Sequence, residues 1–196
     1  MHGKLALAVA GAAAVAVPLL TATPAFAHGY TTSPPSRSYR CAQHQVTDCG
    51  PIQYEPQSVE GPKGFPQAGP ADGQICSANH TEFAQLDDPR GGAWPAASMT
   101  SGASYGFSWT FTAIHATTSF RYFITKTTYD PTKPLTRAAL ESTPFLQVNY
   151  GGQRPPNPVT HTGALPTRHG RQLILAVWDI ADTGNAFYSC ADVVFS

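Results

Sequence analysis

Between Tyr105 and Ala113, Tyr105, Phe107, Trp109, Phe111 and Ala113 alternate with Gly106, Ser108, Thr110 and Thr112. Side chains of a strand point to opposite faces in turn, whereas those of a helix share a face every three to four positions. The alternation therefore specifies a strand with one aromatic and one polar face. An aromatic face of this kind has to be covered by a second layer. Further strands are expected over His28 to Thr32, Ser119 to Lys126, Phe145 to Tyr150, Val159 to Leu165, Gln172 to Trp178 and Phe187 to Phe195. Turn signals separate them at Asp130-Pro131, Gly151-Gly152, Pro155-Pro156, His169-Gly170 and Thr183-Gly184-Asn185. Helical signal is confined to Thr81 to Leu86 and Thr136 to Ser142. The expected fold is all-β, an immunoglobulin or fibronectin III-like antiparallel β-sandwich with a long loop and short-helix insertion after the first strand. That insertion, Ser33 to Met99, is dense in Pro, Gly, Ser and Gln, and a loop so long points to a binding surface.

The chain begins differently. His2 and Lys4 precede an Ala/Val/Leu run to Leu20, and Thr21 to Ala27 is a small-residue stretch ending in Ala25-Phe26-Ala27. This pattern is a Sec-type signal peptide cleaved after Ala27. No later apolar segment approaches the ~20 residues that span a bilayer, so a membrane anchor is not expected. Met1 to Ala27 is read as signal peptide and His28 to Ser196 as a single domain, secreted, extracellular and monomeric. With Ser196 directly after the last strand, no appended carbohydrate-binding module is expected.

Twelve basic residues balance 12 acidic ones, and charged residues make up 12% of the chain. No basic stripe interrupts it, which argues against nucleic acid as a partner. A low-charge surface of Thr, Ser, Asn, Gln and Tyr suits a neutral polar partner such as a polysaccharide. The cysteines, Cys41, Cys49, Cys76 and Cys190, all follow the leader, and an exported chain matures where disulfides persist. Of the three possible connectivities, Cys41 with Cys49 closes a short loop and leaves Cys76 to pair with Cys190. There is no C-x-x-C pair to suggest a zinc site.

Cleavage after Ala27 would make His28 the first residue, with an α-amine beside an imidazole, so that one residue chelates through two nitrogens. His115, just past the aromatic strand, could supply a third. Three nitrogens in a T-shaped arrangement suit copper. Taken alone, His115 reads more readily as a hydrogen-bonded structural histidine at a strand end than as a ligand. His44, His80, His161 and His169 are expected at the surface, with His161 in a segment near the candidate face.

Four segments together resemble the family 10 lytic polysaccharide monooxygenases, in particular small, single-domain, chitin-active members. They are His28-Gly29-Tyr30, Tyr54 to Gly61, Ala113 to Thr125 and Trp178 to Tyr188. The resemblance implies a copper histidine brace of His28 and His115, with Phe187 on the axial side. It also implies Ala113 shaping the pocket above the metal and Glu60 as a carboxylate positioning the bound oxygen species. Tyr54, Glu55, Asp182, Thr183 and Asn185 match a flat face for crystalline chitin, an aromatic ring lying on a sugar and polar groups bonding its substituents. Each has a plain alternative: Phe187 as core, Tyr54 as loop packing, Glu55 and Glu60 as solvated charges, Asp179 and Asp182 as turn formers.

The function so implied is copper-dependent oxidation of chitin at C1 to aldonic acid ends, with electrons from an external donor and O2 or H2O2 as co-substrate. Cellulose-active relatives share the brace. A noncatalytic chitin-binding protein is the second reading. A glycoside hydrolase using Glu55, Glu60 or Asp182 would need a carboxylate pair that spacing does not establish.

Overall fold

The computed structural model describes Gly3 and residues 27–196, so the expected leader lies outside the described residues except at Gly3 and Ala27. In chain order the elements are β1 (His28–Ser33), α1 (Arg37–Ala42), β2 (Glu60–Pro62), β3 (Ala97–Met99), β4 (Ser104–Ala113), β5 (Thr117–Ile124), β6 (Leu146–Asn149), β7 (Val159–Ala164), β8 (Gly170–Ile180) and β9 (Asn185–Phe195). One sheet has the order β1-β4-β7; the other runs β2-β9-β8-β5-β6, with β3 also pairing β9. The chain is mostly β and its sheets form an open antiparallel sandwich, the one parallel contact among the described residues being β3 on β9.

The aromatic face of β4 does what its alternation requires. Phe107, Trp109 and Phe111 are buried against Phe120 and Tyr122 of β5, Ile174, Ala176 and Trp178 of β8, and Phe187 of β9. The opposite face of the larger sheet is buried too. Leu173, Leu175 and Val177 of β8, Phe123 of β5 and Tyr188 of β9 pack against Ile52, Phe65, Ile75, Phe83 and Trp94 from the insertion. Burial on both faces explains the unbroken apolar run of β8, which carries no polar alternation to mark its ends. The strand accordingly extends beyond the expected Gln172 to Trp178.

The insertion is therefore a packed layer and not a bare loop. It holds α1, β2, β3 and short 3₁₀ turns at Gly50–Gln53, Thr81–Leu86 and Arg90–Gly92. Ser36 caps α1, its hydroxyl accepting from Tyr39 N–H at 3.2 Å. The Thr136 to Ser142 signal corresponds to a 3₁₀ turn, Arg137–Ala139. Disulfides join Cys41 to Cys49 and Cys76 to Cys190. The buried Arg37 guanidinium donates to both Asp192 oxygens at 2.7 and 3.2 Å and to Leu86 O at 2.7 Å, tying α1 and the Thr81–Leu86 turn to β9.

Two expectations are corrected. His161 is not a surface residue: it is buried on β7, its Nδ1 2.7 Å from the Tyr122 hydroxyl and its Nε2 3.2 Å from that of Tyr150. Trp109 Nε1–H donates to Tyr122 Oη, so Tyr122 donates to Nδ1 and the neutral ring carries its proton on Nε2. Burial pulls its pKa down from 6.5 to about 4. Asp179 is not a turn former but a buried strand residue of β8. It accepts from Ser119 Oγ at 3.0 Å and from Arg121 Nε and Nη2 at 2.7 and 3.0 Å, which ties β8 to β5.

Candidate functional site

Strand β1 starts at His28, and its register on β4 sets His28 opposite Ala113 and Gly29 opposite Phe111. Gly29 has to lack a side chain, because a Cβ there would lie 2.6 Å from Phe111 Cδ1 and 3.1 Å from Trp178 Cζ3. Its absence lets the start of β1 lie flat on the aromatic core. Gly29 N–H also donates to Gln57 O at 3.2 Å, which ties His28 to the loop carrying Tyr54 and Glu55.

His115 follows β4 in the short link to β5. Trp178 Nε1–H donates to Thr117 Oγ1 at 2.8 Å, and that hydroxyl donates to His115 O at 3.0 Å, so the link is fixed to the core. The His115 ring is buried, with Nδ1 3.4 Å from Asp182 Oδ1. Asp182 belongs to the turn between β8 and β9. Phe187, 1% exposed, stands in β9 with its ring centroid 5.0 Å from Trp178 and 6.4 Å from the His28 ring. It is a core residue whose ring also neighbours His28.

Glu60 reaches the same end through β2, which pairs with the start of β9 so that Glu60 opposes Phe187. Its side chain accepts from Asn185 Nδ2 at 3.0 Å, while its main-chain carbonyl lies 2.6 Å from His80 Nε2. Asn185 N–H in turn donates to Thr183 Oγ1 at 3.2 Å. Tyr54, at the end of the Gly50–Gln53 turn, is 81% exposed, which excludes loop packing as its role. Glu55 follows it in the same loop and is half-buried. Strand pairing and side-chain bonds thus draw His28, Ala113, His115, Asp182, Asn185, Phe187 and Glu60 to one end of the sandwich.

Residues without a sequence signal support this end. His80 braces Glu60 from the main chain and pairs with Glu82 at 2.9 Å. Lys63 Nζ donates to Ile180 O, and to Thr183 O at 2.6 Å. Both act on carbonyls distant in the chain, which no motif encodes.

Among the described residues no group of three or more His, Cys, Asp or Glu could hold a metal. A metal at this end would rest on two imidazoles and a main-chain nitrogen, which cleavage after Ala27 converts from amide to amine. Amine and imidazole nitrogens are donors that copper favours. With Asp182 at Nδ1 of His115, Nε2 would be the nitrogen to hold a metal, the carboxylate orienting the ring as carboxylates beside ligating histidines do. The residues present fit copper.

Residues 28–193 match the family described as lytic polysaccharide mono-oxygenase, cellulose-degrading. The chain belongs to the AA10 lytic polysaccharide monooxygenases. An AA10 family lytic polysaccharide monooxygenase C of Mycosarcoma maydis is 51% identical over 173 residues, covering 86% of this chain and 52% of the relative. GlcNAc-binding protein A of Shewanella oneidensis is 46% identical over 178 residues, covering 90% of this chain and 37% of the relative. The chain thus spans about half or less of the length of these curated relatives. Among solved structures, an AA10 monooxygenase from Streptomyces lividans superposes with a TM-score of 0.84 at 54% identity, covering 86% of this chain and all of that one. A Bacillus amyloliquefaciens CBM33 in complex with Cu(I) gives a TM-score of 0.80 at 41% identity, with 86% and 100% coverage. No helix among the described residues is long and apolar enough to cross a membrane.

Proposed function

We propose that residues 28–196, released from a signal peptide, form one secreted copper monooxygenase domain that binds crystalline chitin and cleaves it oxidatively at C1. The observation that carries this reading is the register of β1 on β4, which puts His28 opposite Ala113 and at the same end as His115. Copper, when bound, would supply one-electron redox chemistry toward O2 or H2O2, with electrons from an external donor.

The chain's own residues do the rest. The amine and imidazole of His28 and Nε2 of His115 are the donors. Asp182 holds the His115 ring at its other nitrogen. Phe187 places hydrocarbon beside the donors where a further ligand would otherwise enter, and Ala113 keeps the space above them open. Glu60, with one oxygen engaged by Asn185, has the other available to hold or move a proton. The exposed Tyr54 ring offers an apolar plate to a sugar, and Glu55, Thr183 and Asn185 offer hydrogen bonds to hydroxyl and acetamido groups. Chitin is favoured over cellulose because a relative this similar is named for binding GlcNAc. That name also supports the second reading, binding without cleavage.

The test is mass spectrometry of soluble products from β-chitin and from cellulose, with copper and ascorbate, using protein that begins at His28. Aldonic acid chito-oligosaccharides are expected, absent for His115→Ala and strongly reduced when a Met precedes His28. Oxidised products from cellulose alone would reassign the substrate. Adsorption to chitin with no oxidised product would establish the binding reading.

A further inference from the structure

The turn of residues 181–184 carries Asp182 and Thr183, and three main-chain carbonyls at its two ends, those of Ile180, Thr183 and Gly184, need donors. Lys63 meets all three. Its ammonium donates to Ile180 O and to Thr183 O at 2.6 Å, and its own N–H donates to Gly184 O at 2.9 Å. The carbonyl oxygens of Ile180 and Thr183 converge and would repel one another, and the Lys63 ammonium, with donors and no acceptor, reconciles these two, while Gly184 O is held by the main chain alone. Lys63 itself directly follows β2, the strand that bears Glu60, so one residue links the two elements that hold Glu60 and Asp182.

On the proposed function, this arrangement has a consequence at both ends of the turn. Asp182 is within reach of His115 Nδ1 only while the turn keeps its shape, and Asn185 bonds Glu60 from the turn's exit. We propose that Lys63 is a positioning residue, holding the 181–184 turn in the form that sets Asp182 on His115 and Asn185 on Glu60. It acts through the carbonyls it binds.

The test compares wild type, Lys63→Met and Lys63→Arg in protein beginning at His28. Amide hydrogen exchange is measured without metal and Cu(II) affinity by calorimetric titration. Lys63→Met is expected to speed exchange at 182–185 tenfold or more, with β4 and β8 unchanged, and to weaken Cu(II) binding several-fold; Lys63→Arg, which keeps the cation, is expected to restore much of both. Unchanged exchange at 182–185 would overturn the proposal, as would faster exchange with wild-type Cu(II) affinity. Should Lys63→Met not fold, Lys63→Gln retains one amide donor and is expected to show the same local loosening in smaller degree. The exchange readout needs neither substrate nor oxidation, so absence of oxidised product from wild type would count against the proposed activity and leave the Lys63 result to stand by itself.

Discussion

Strand β4 and the 50–94 segment cover opposite faces of the same sheet by different means. β4 does so by periodicity: Phe107, Trp109 and Phe111 interleave with Phe120 and Trp178 while its backbone pairs with β1 and β7. The 50–94 segment pairs only briefly, through β2, and is fastened by point attachments instead. These are the Cys76–Cys190 disulfide, Arg37 reaching Asp192 and Leu86, and the Tyr188 hydroxyl of β9 donating to Pro62 O. A layer of this second kind tolerates irregular backbone, which is what allows it to present Tyr54 to solvent and bring Glu60 beside Phe187. The site lies where the two regimes meet, with His28 and His115 from the regular side and Glu60 and Tyr54 from the irregular one.

The strongest way to break this contrast is to remove its longest staple. Replacing Cys76 and Cys190 by Ser releases a loop of 114 residues in sequence separation, worth about 5 kcal/mol on chain-entropy grounds. Denaturant titration should show the loss, and hydrogen exchange should show protection falling first over 50–94 while β4 and β8 keep theirs. Uniform loss would mean that the two layers unfold as one. Trp109→Ala attacks the other side, removing a fully buried indole and its bond to Tyr122. A cost of about 4 kcal/mol is expected, spread across both sheets.

The pH dependence sharpens the comparison, since the buried titratable ring of His161 belongs to the sandwich. Its folded pKa of about 4 lies below the ordinary 6.5, so the unfolded chain binds the extra proton first. Stability from this group is complete above pH about 6.5 and is lost as pH falls toward about 4, amounting to roughly 3 kcal/mol. His161→Gln, which keeps hydrogen-bonding capacity between the two tyrosines, should flatten that limb of the stability curve; an unchanged limb would place the titration elsewhere. Smallest of the four, loss of Cys41–Cys49 opens a loop with a separation of 8 and should cost about 2.5 kcal/mol, with β-sheet exchange unaltered.

How much was readable follows the same division. β4, β5, β7 and β9 announce themselves by alternation and by turns, and the short Cys41–Cys49 spacing leaves one partner for Cys190. β2 and β3 do not, because three-residue strands are too short for any period to develop and exist only because β9 offers an edge. His161 was misplaced for a related reason. A polar side chain on a strand reads as outward-facing until two tyrosines, from two other stretches of chain, supply its partners.

By itself the sequence determined what is local: the cleavage pattern before His28, the period-two strands and the residue types of a nitrogen donor set. The tertiary structure decided what depends on chain-distant pairing. It set His28 across from Ala113, put Asp182 on His115, joined Asn185 to Glu60, and placed Lys63 under the turn that carries two of these contacts. Periodicity is encoded between neighbours, whereas a hydrogen bond to a carbonyl more than a hundred residues away leaves no mark in composition or spacing.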